Sequence, residues 1–240
     1  MKIPVKILAV VVGLGVLLFF VSRSRRGASV KEKPKFSDAE YTRHYEAKEK
    51  ALARILGPMH NIVGHAIIPF QLGGAVDMYY FPNGVPGTGF ATMELIEPDG
   101  SGPKPNRIGS FELVAFTKLT MPAQEAKGNN EDPFNLIERR MCGILTAVGR
   151  YSYEAVLNPG ETCEVPGAEG QPTRRLILDE FRKDGTPFEI SGKTHCLLLC
   201  VEVFRSEMDY AMKHGSAPVL KRLKEKGHYP YSDLDRQPVF

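Results

Sequence analysis

Between residues 7 and 21 the chain reads ILAVVVGLGVLLFFV, fifteen residues without a charge or a side-chain amide. With Lys6 snorkelling toward headgroups the apolar stretch reaches back to Ile3, and nineteen helical residues rise about 28 Å, close to the hydrocarbon thickness of a bilayer. Lys2 and Lys6 would also suit the basic start of a cleaved signal peptide, but no small-x-small cleavage site follows. Arg23, Arg25 and Arg26 follow instead, as a stop-transfer flank does. The reading is therefore a single transmembrane anchor over residues 1–22. Gly13 and Gly15 lack the spacing of a helix-pairing motif. Six basic residues after the run (Arg23, Arg25, Arg26, Lys31, Lys33, Lys35) against Lys2, Lys6 and the α-amino group before it predict that the following domain lies in the cytoplasm, on the inner face of the plasma membrane. Four cysteines without a C-x-x-C pair or regular spacing agree with a reducing compartment, and they supply neither a disulfide framework nor a structural zinc site.

Charge is divided along the chain. Residues 1–35 carry +7, so the remaining 205 carry −4 of the net +3. A mildly acidic body has the wrong sign for a phosphate backbone, which argues against nucleic acid as a partner. Residues 23–35 are charged, end near Pro34 and have little to bury, so they read as a basic tether, with one domain over residues 36–240.

Within that domain, Ser37 and Glu40 have capping-box spacing, and Tyr41, Tyr45, Leu52, Ile55 and Leu56 share a helical face up to Gly57 and Pro58. Apolar or alternating runs at 75–81, 90–96 and 110–117 predict strands, and the Pro- and Gly-rich stretch 98–106 predicts a loop. Asp132 and Pro133 open a second helix with Ile137, Met141, Ile144, Leu145 and Val148 on one stripe. Short strands are expected at 174–181, 188–190 and 196–204. A helix capped by Ser206 and ending at Gly215 follows, then another over 217–226. Without regular βαβ alternation, the fold class is α+β with a mixed, largely antiparallel sheet packed with helices.

The sequence contains neither a phosphate loop nor a hydrolase nucleophile elbow, and it calls for no cofactor. His195, Cys196 and Cys200 look like metal ligands on paper. On a strand, however, His195 and Cys196 face opposite ways and Cys196 and Cys200 stand about 13 Å apart, so they read as buried residues and no metal site is expected. Cys142, on an apolar helix stripe, reads the same way. His60 and His65 flank a loop with no nucleophile beside them. Two carboxylates interrupt apolar strand faces: Glu112 with Val114 and Phe116, and Glu202 with Cys200 and Phe204. Each either meets a partner such as Arg107, Arg205 or an edge amide, or lines a binding groove.

Residues 107–117, 134–151 and 197–223, in that order, resemble the suppressor of fused-like domain family. Glu112-Leu113 matches the family's E-L strand, residues 135–150 with Pro159-Gly160 match its helix and turn, and a late signature is matched from Val203 to Leu223 through Glu207 and Gly215. Asp235-Arg236 resembles the end of the domain. The resemblance covers most of residues 60–240. It departs at Ala91–Glu94, where the family usually has a G(M/L)S stretch. It implies a non-enzymatic binding domain: animal members sequester a transcription factor by pairing with its peptide, and bacterial single-domain members are read as immunity proteins of toxin systems. The chain resembles the bacterial type.

The expected function is a membrane-tethered protein-binding module that neutralises a partner toxin, held to lipid by its anchor. A membrane-anchored hydrolase and a structural subunit of a membrane complex are the alternatives. Binding is expected at an exposed edge strand or groove, with Glu112 on the E-L strand and Glu207 at a helix start as candidate contacts.

Overall fold

In the computed structural model the described residues are 35–82, 84–122, 131–167, 170 and 172–240. The expected anchor with Lys2 and Lys6, and the tether with Arg23, Arg25 and Arg26, lie outside them. Among the described residues no helix is long and apolar enough to cross a membrane.

Helix α1 (Asp38–Leu56) starts as its sequence dictates: the Glu40 N–H donates to Ser37 Oγ at 3.3 Å and the Ser37 N–H to Glu40 Oε2 at 2.8 Å. Only its second half packs on the core, through Lys48, Ala51, Leu52, Ile55 and Leu56. Tyr41 and Tyr45, expected on the same stripe, are exposed. The first turns run beside the segment 93–98 instead, with the Tyr45 ring 6.1 Å from that of Tyr79.

Four strands follow as an antiparallel series: β1 (Val63–Gly64), β2 (Met78–Phe81), β3 (Thr88–Ala91) and β4 (Phe111–Thr117). Helix α2 (Pro133–Tyr151) begins with Asp132 accepting the Phe134 N–H at 2.9 Å and Pro133 at the first turn, as its sequence predicts. It leads to β5 (Thr162–Val165), β6 (Arg174–Glu180), β7 (Phe188–Ile190) and β8 (Lys193–Glu202). The β7–β8 hairpin turns at Ser191 and Gly192, both at positive φ, as a two-residue turn between right-twisted strands requires. Helices α3 (Arg205–His214) and α4 (Ser216–Glu225) complete the domain.

The sheet order is β1-β2-β3-β4-β8-β6-β5, with β7 paired to β8 outside that path. β4 and β8 run parallel and the other paired strands antiparallel, so the sheet is mixed and largely antiparallel. α1, α3 and α4 cover one face, where Leu52, Val114, Phe116, Leu199, Met208 and Leu223 meet. α2 covers the other, where Met141, Leu145, Phe111, Leu113, Leu198 and Cys200 meet. Because both faces are buried, β4 and the inner part of β8 are apolar almost without interruption.

Three expectations are corrected. The run 90–96 is not one strand: β3 ends at Ala91, and beyond it the Leu95 and Ile96 amides turn to a carboxylate instead of a neighbouring strand. Ser206 is not the cap of α3. Phe204 holds that position without a side-chain acceptor, and Glu207 takes the Phe204 N–H at 2.9 Å. β1 and β5, two and four residues long, were not expected, being too short for a readable alternation.

Candidate partner-binding site

The three carboxylates singled out in sequence, Glu112, Glu202 and Glu207, are all spent inside the fold. Glu112 lies on β4 between β3 and β8, so the E-L strand is central and not an edge. Its side chain is fully buried. Lys48 Nζ donates to Glu112 Oε1 at 2.9 Å, Thr92 Oγ1 to Oε2 at 2.7 Å, and the Ile96 amide to Oε1 at 3.0 Å, with the Leu95 amide at 3.2 Å. Lys48 Nζ, 2% exposed as a residue, also donates to the Met93 and Ile96 carbonyls at 2.6 and 2.7 Å. Glu112 thus clamps α1 and the turn 92–96 onto the central strand. The expected partners Arg107 and Arg205 play no part: Arg107 is exposed and Arg205 pairs with Asp209 at 3.2 Å.

Glu207 is equally buried. It receives Arg236 Nη1 at 2.6 Å and Nη2 at 2.9 Å, and the Val239 amide at 2.9 Å. The guanidinium lies 4.9 Å over the Phe204 ring, and Phe240 stacks on Tyr210 at 3.8 Å. Burial pushes the Glu207 carboxyl up, but Arg236 and the two amides more than offset it and leave it below its ordinary range. The late signature and the Asp235-Arg236 tail therefore recognise each other. Glu202 pairs with Arg140 at 2.9 Å and more loosely with Arg174 at 3.6 Å, and burial still raises its carboxyl. None of these three presents a carboxylate to a partner.

His195 is buried edge-on against Phe188, while Cys196 and Cys200 face the α2 core, where burial pushes the Cys196 thiol up to about 12. Among the described residues no group of three His, Cys, Asp or Glu could hold a metal ion.

The open features lie elsewhere. Between the first turns of α1 and the segment 93–98 is a cleft of about 390 Å³, bordered by Tyr41, His44, Tyr45, Gln71, Glu94 and Glu97. His44 Nε2 faces the Ile96 carbonyl at 2.8 Å, and burial, reinforced by Lys48, lowers its pKa. Next to the cleft the loop 65–74 exposes Ile67, Ile68 and Leu72, at 101%, 56% and 76%. The loop is well held. Phe70 is buried, Arg150 Nη2 donates to the Gly73 carbonyl and, at 2.6 Å, to that of Gly74, and His65 pairs with Asp77 at 2.7 Å. Gly74 is required, because a Cβ there would meet the Ile68 carbonyl oxygen at 1.5 Å. Sequence reasoning did not single out this surface. The visible signal was an Ile-Ile pair in a segment lacking the period of a strand or helix.

This is an α+β domain whose conspicuous open feature is a fixed apolar loop beside a largely apolar cleft that carries Glu94 and Glu97, a surface suited to another macromolecule. The chain belongs to the family of suppressor of fused protein (SUFU), whose model matches residues 76–237. α1 lies before the matched stretch yet supplies Lys48 to its central glutamate. The fold is similar to that of a chain in the Sufu-Fu complex crystal structure, with a TM-score of 0.55 and 19% identity over 82% of this chain and 92% of that one. No curated protein matches the sequence significantly.

Proposed function

We propose that this chain is a non-enzymatic protein-binding module, tethered to a membrane by its first 22 residues, that holds and neutralises a partner toxin. The observation that carries the binding reading is the family match over residues 76–237. The similar chain in the Sufu-Fu complex crystal structure supports it, since that structure is of a complex. Membrane tethering rests on the apolar run and its arginine flank, and the immunity role on the resemblance to bacterial family members.

The test is capture followed by reconstitution. The full chain, crosslinked in its own cells and purified in detergent, should retain one protein in stoichiometric amount, and the two purified components should re-form the complex. Co-expression should protect cells from that partner when it is toxic. Failure to retain any protein would overturn the binding reading, and retention without protection would overturn the immunity role alone.

A further inference from the structure

The apolar loop and the α1 cleft form one surface, because Gln71 and Glu97 border both the cleft and the adjoining hollow beneath Arg150. Ile67, Ile68 and Leu72 stand in solvent on a loop pinned at Phe70, Gly73 and Gly74. Exposed aliphatic side chains on a fixed loop can be covered without an ordering cost, which favours binding.

The chemistry of the cleft says what should cover them. Glu94 Oε1 accepts the Asp77 N–H at 2.7 Å, while Oε2, shielded from water, has no hydrogen-bond partner among the described residues. The nearby cations are engaged elsewhere: Lys48 by Glu112 and two carbonyls, Lys35 by Asp99 at 2.5 Å, and Arg150 by the glycine carbonyls. Burial disfavours the charged form of His44. An unpartnered acceptor thus lies beside an apolar surface, with Asp77 and Glu97 adding negative charge around it. That sign repels anionic lipid headgroups and attracts a cationic side chain.

We infer that this face docks a protein segment that inserts one Lys or Arg side chain into the α1 cleft, its charge on Glu94 and its flanking apolar side chains on Ile67, Ile68 and Leu72. The inference deepens the protein-binding reading and rests on it. Docking should depend on pH. Burial first, then the charges of Asp77 and Glu112, push the Glu94 carboxyl up to about 7, against the Asp77 amide and Lys48, which pull it down. Below that pH it is protonated and loses its attraction for a cation.

The test uses the full chain in phosphatidylcholine nanodiscs and an immobilised heptapeptide series, Gly-Leu-Val-X-Val-Leu-Gly, with Arg, Lys, Gln, Glu or norleucine at X. At about pH 8.5 the Arg and Lys peptides should be retained about tenfold more strongly than the Gln peptide, and at about pH 5.5 the preference should largely vanish. Glu94→Gln, which keeps the acceptor for the Asp77 amide, should abolish the preference at both pH values. Ile68→Ser with Leu72→Ser should weaken retention of every peptide. Equal retention of Glu and Arg peptides, an undiminished preference in Glu94→Gln, or no retention at all would overturn the assignment. So would protection of the 65–74 amides from hydrogen exchange on adding about 25% phosphatidylglycerol, which would make the loop a lipid contact. Should the captured partner bind Glu94→Gln and wild type equally, this surface is wrong while the binding reading stands. Should wild type capture no partner, that reading itself fails.

Discussion

Glu112 converts three separate pieces of chain into one unit, since its two oxygens receive α1 through Lys48, the end of β3 through Thr92, and the turn beyond through the Leu95 and Ile96 amides. Replacing one member leaves the others buried without compensation. Glu112→Gln should cost about 3–5 kcal/mol in urea unfolding and leave partner affinity, measured on the folded fraction, unchanged. The double change Lys48→Met with Glu112→Leu should not restore stability as it does for isolated buried ion pairs, because the two amides would still lack an acceptor. Recovery to wild-type stability would show that the amides are satisfied by other means. Glu94 behaves in the opposite sense. Its folded pKa of about 7 lies above the ordinary glutamate value of 4.5, so the folded state binds the extra proton between those values and stability falls as pH rises through them. Glu94→Gln should flatten that slope and raise stability at pH 8, on the order of 1–3 kcal/mol, in unfolding curves taken across the range.

At the scale of elements, the C-terminal tail is fixed at two places: Tyr231 bridges Phe116 and Asp233 accepts from Thr117 and Lys118 at the end of β4, and beyond them a buried bidentate pair holds Arg236 to α3. Arg236→Leu strands the Glu207 charge and should cost about 3–5 kcal/mol, with hydrogen-exchange protection lost first in α3 and the tail. Arg236→Lys keeps the charge but not the fork geometry, and should recover only part of it. Because Glu207 is held below its ordinary pKa, the tail's attachment is complete above pH 4.5 and weakens as pH falls below it. Limited proteolysis at decreasing pH should therefore remove the tail before it cuts the sheet. Simultaneous cutting of both would mean that the tail and sheet unfold as one unit.

For the whole molecule, α1 and the tail close over the same face of the sheet, so residues 36–240 carry both sides of the core. Lys35 contributes exposed contacts, a pair with Asp99, a hydrogen bond to Ser101 and a position over the Phe36 ring, and exposed pairs add little. Deletion of residues 1–35 should therefore leave a soluble domain with a single cooperative melt, while the full chain stays in the membrane fraction through carbonate washing. Mature protein starting after residue 22 in the soluble fraction would overturn the anchor. Cys196 and Cys200 are buried, and Cys142 and Cys163 are half-buried. The orientation is thus read at the latter two, which an impermeant thiol reagent should reach only after lysis.

Periodicity and capping are local properties, so α1 with its Ser37 box, α2 behind Asp132 and Pro133, and the apolar runs of β4 and β8 were legible in the chain. The order of those runs also excluded a regular parallel sheet, and the Glu112-Leu113 and Val203–Leu223 stretches pointed to the family. Which strand lies beside which is a long-range matter. Nothing in residues 107–117 tells that β8 pairs with β4 in parallel and makes the E-L strand central, and that pairing turned Glu112 from a candidate contact into an internal clamp. Tyr41 and Tyr45 share a helical phase with Leu52 and Ile55, and only the placement of the segment 93–98 beside the first turns of α1 puts them at a cleft. Glu94 stood in sequence as part of an apolar run. Its significance comes from Asp77, α1 and the loop 65–74 converging on it in space, because a carboxylate's charge and partners are set by neighbours that chain order does not bring together.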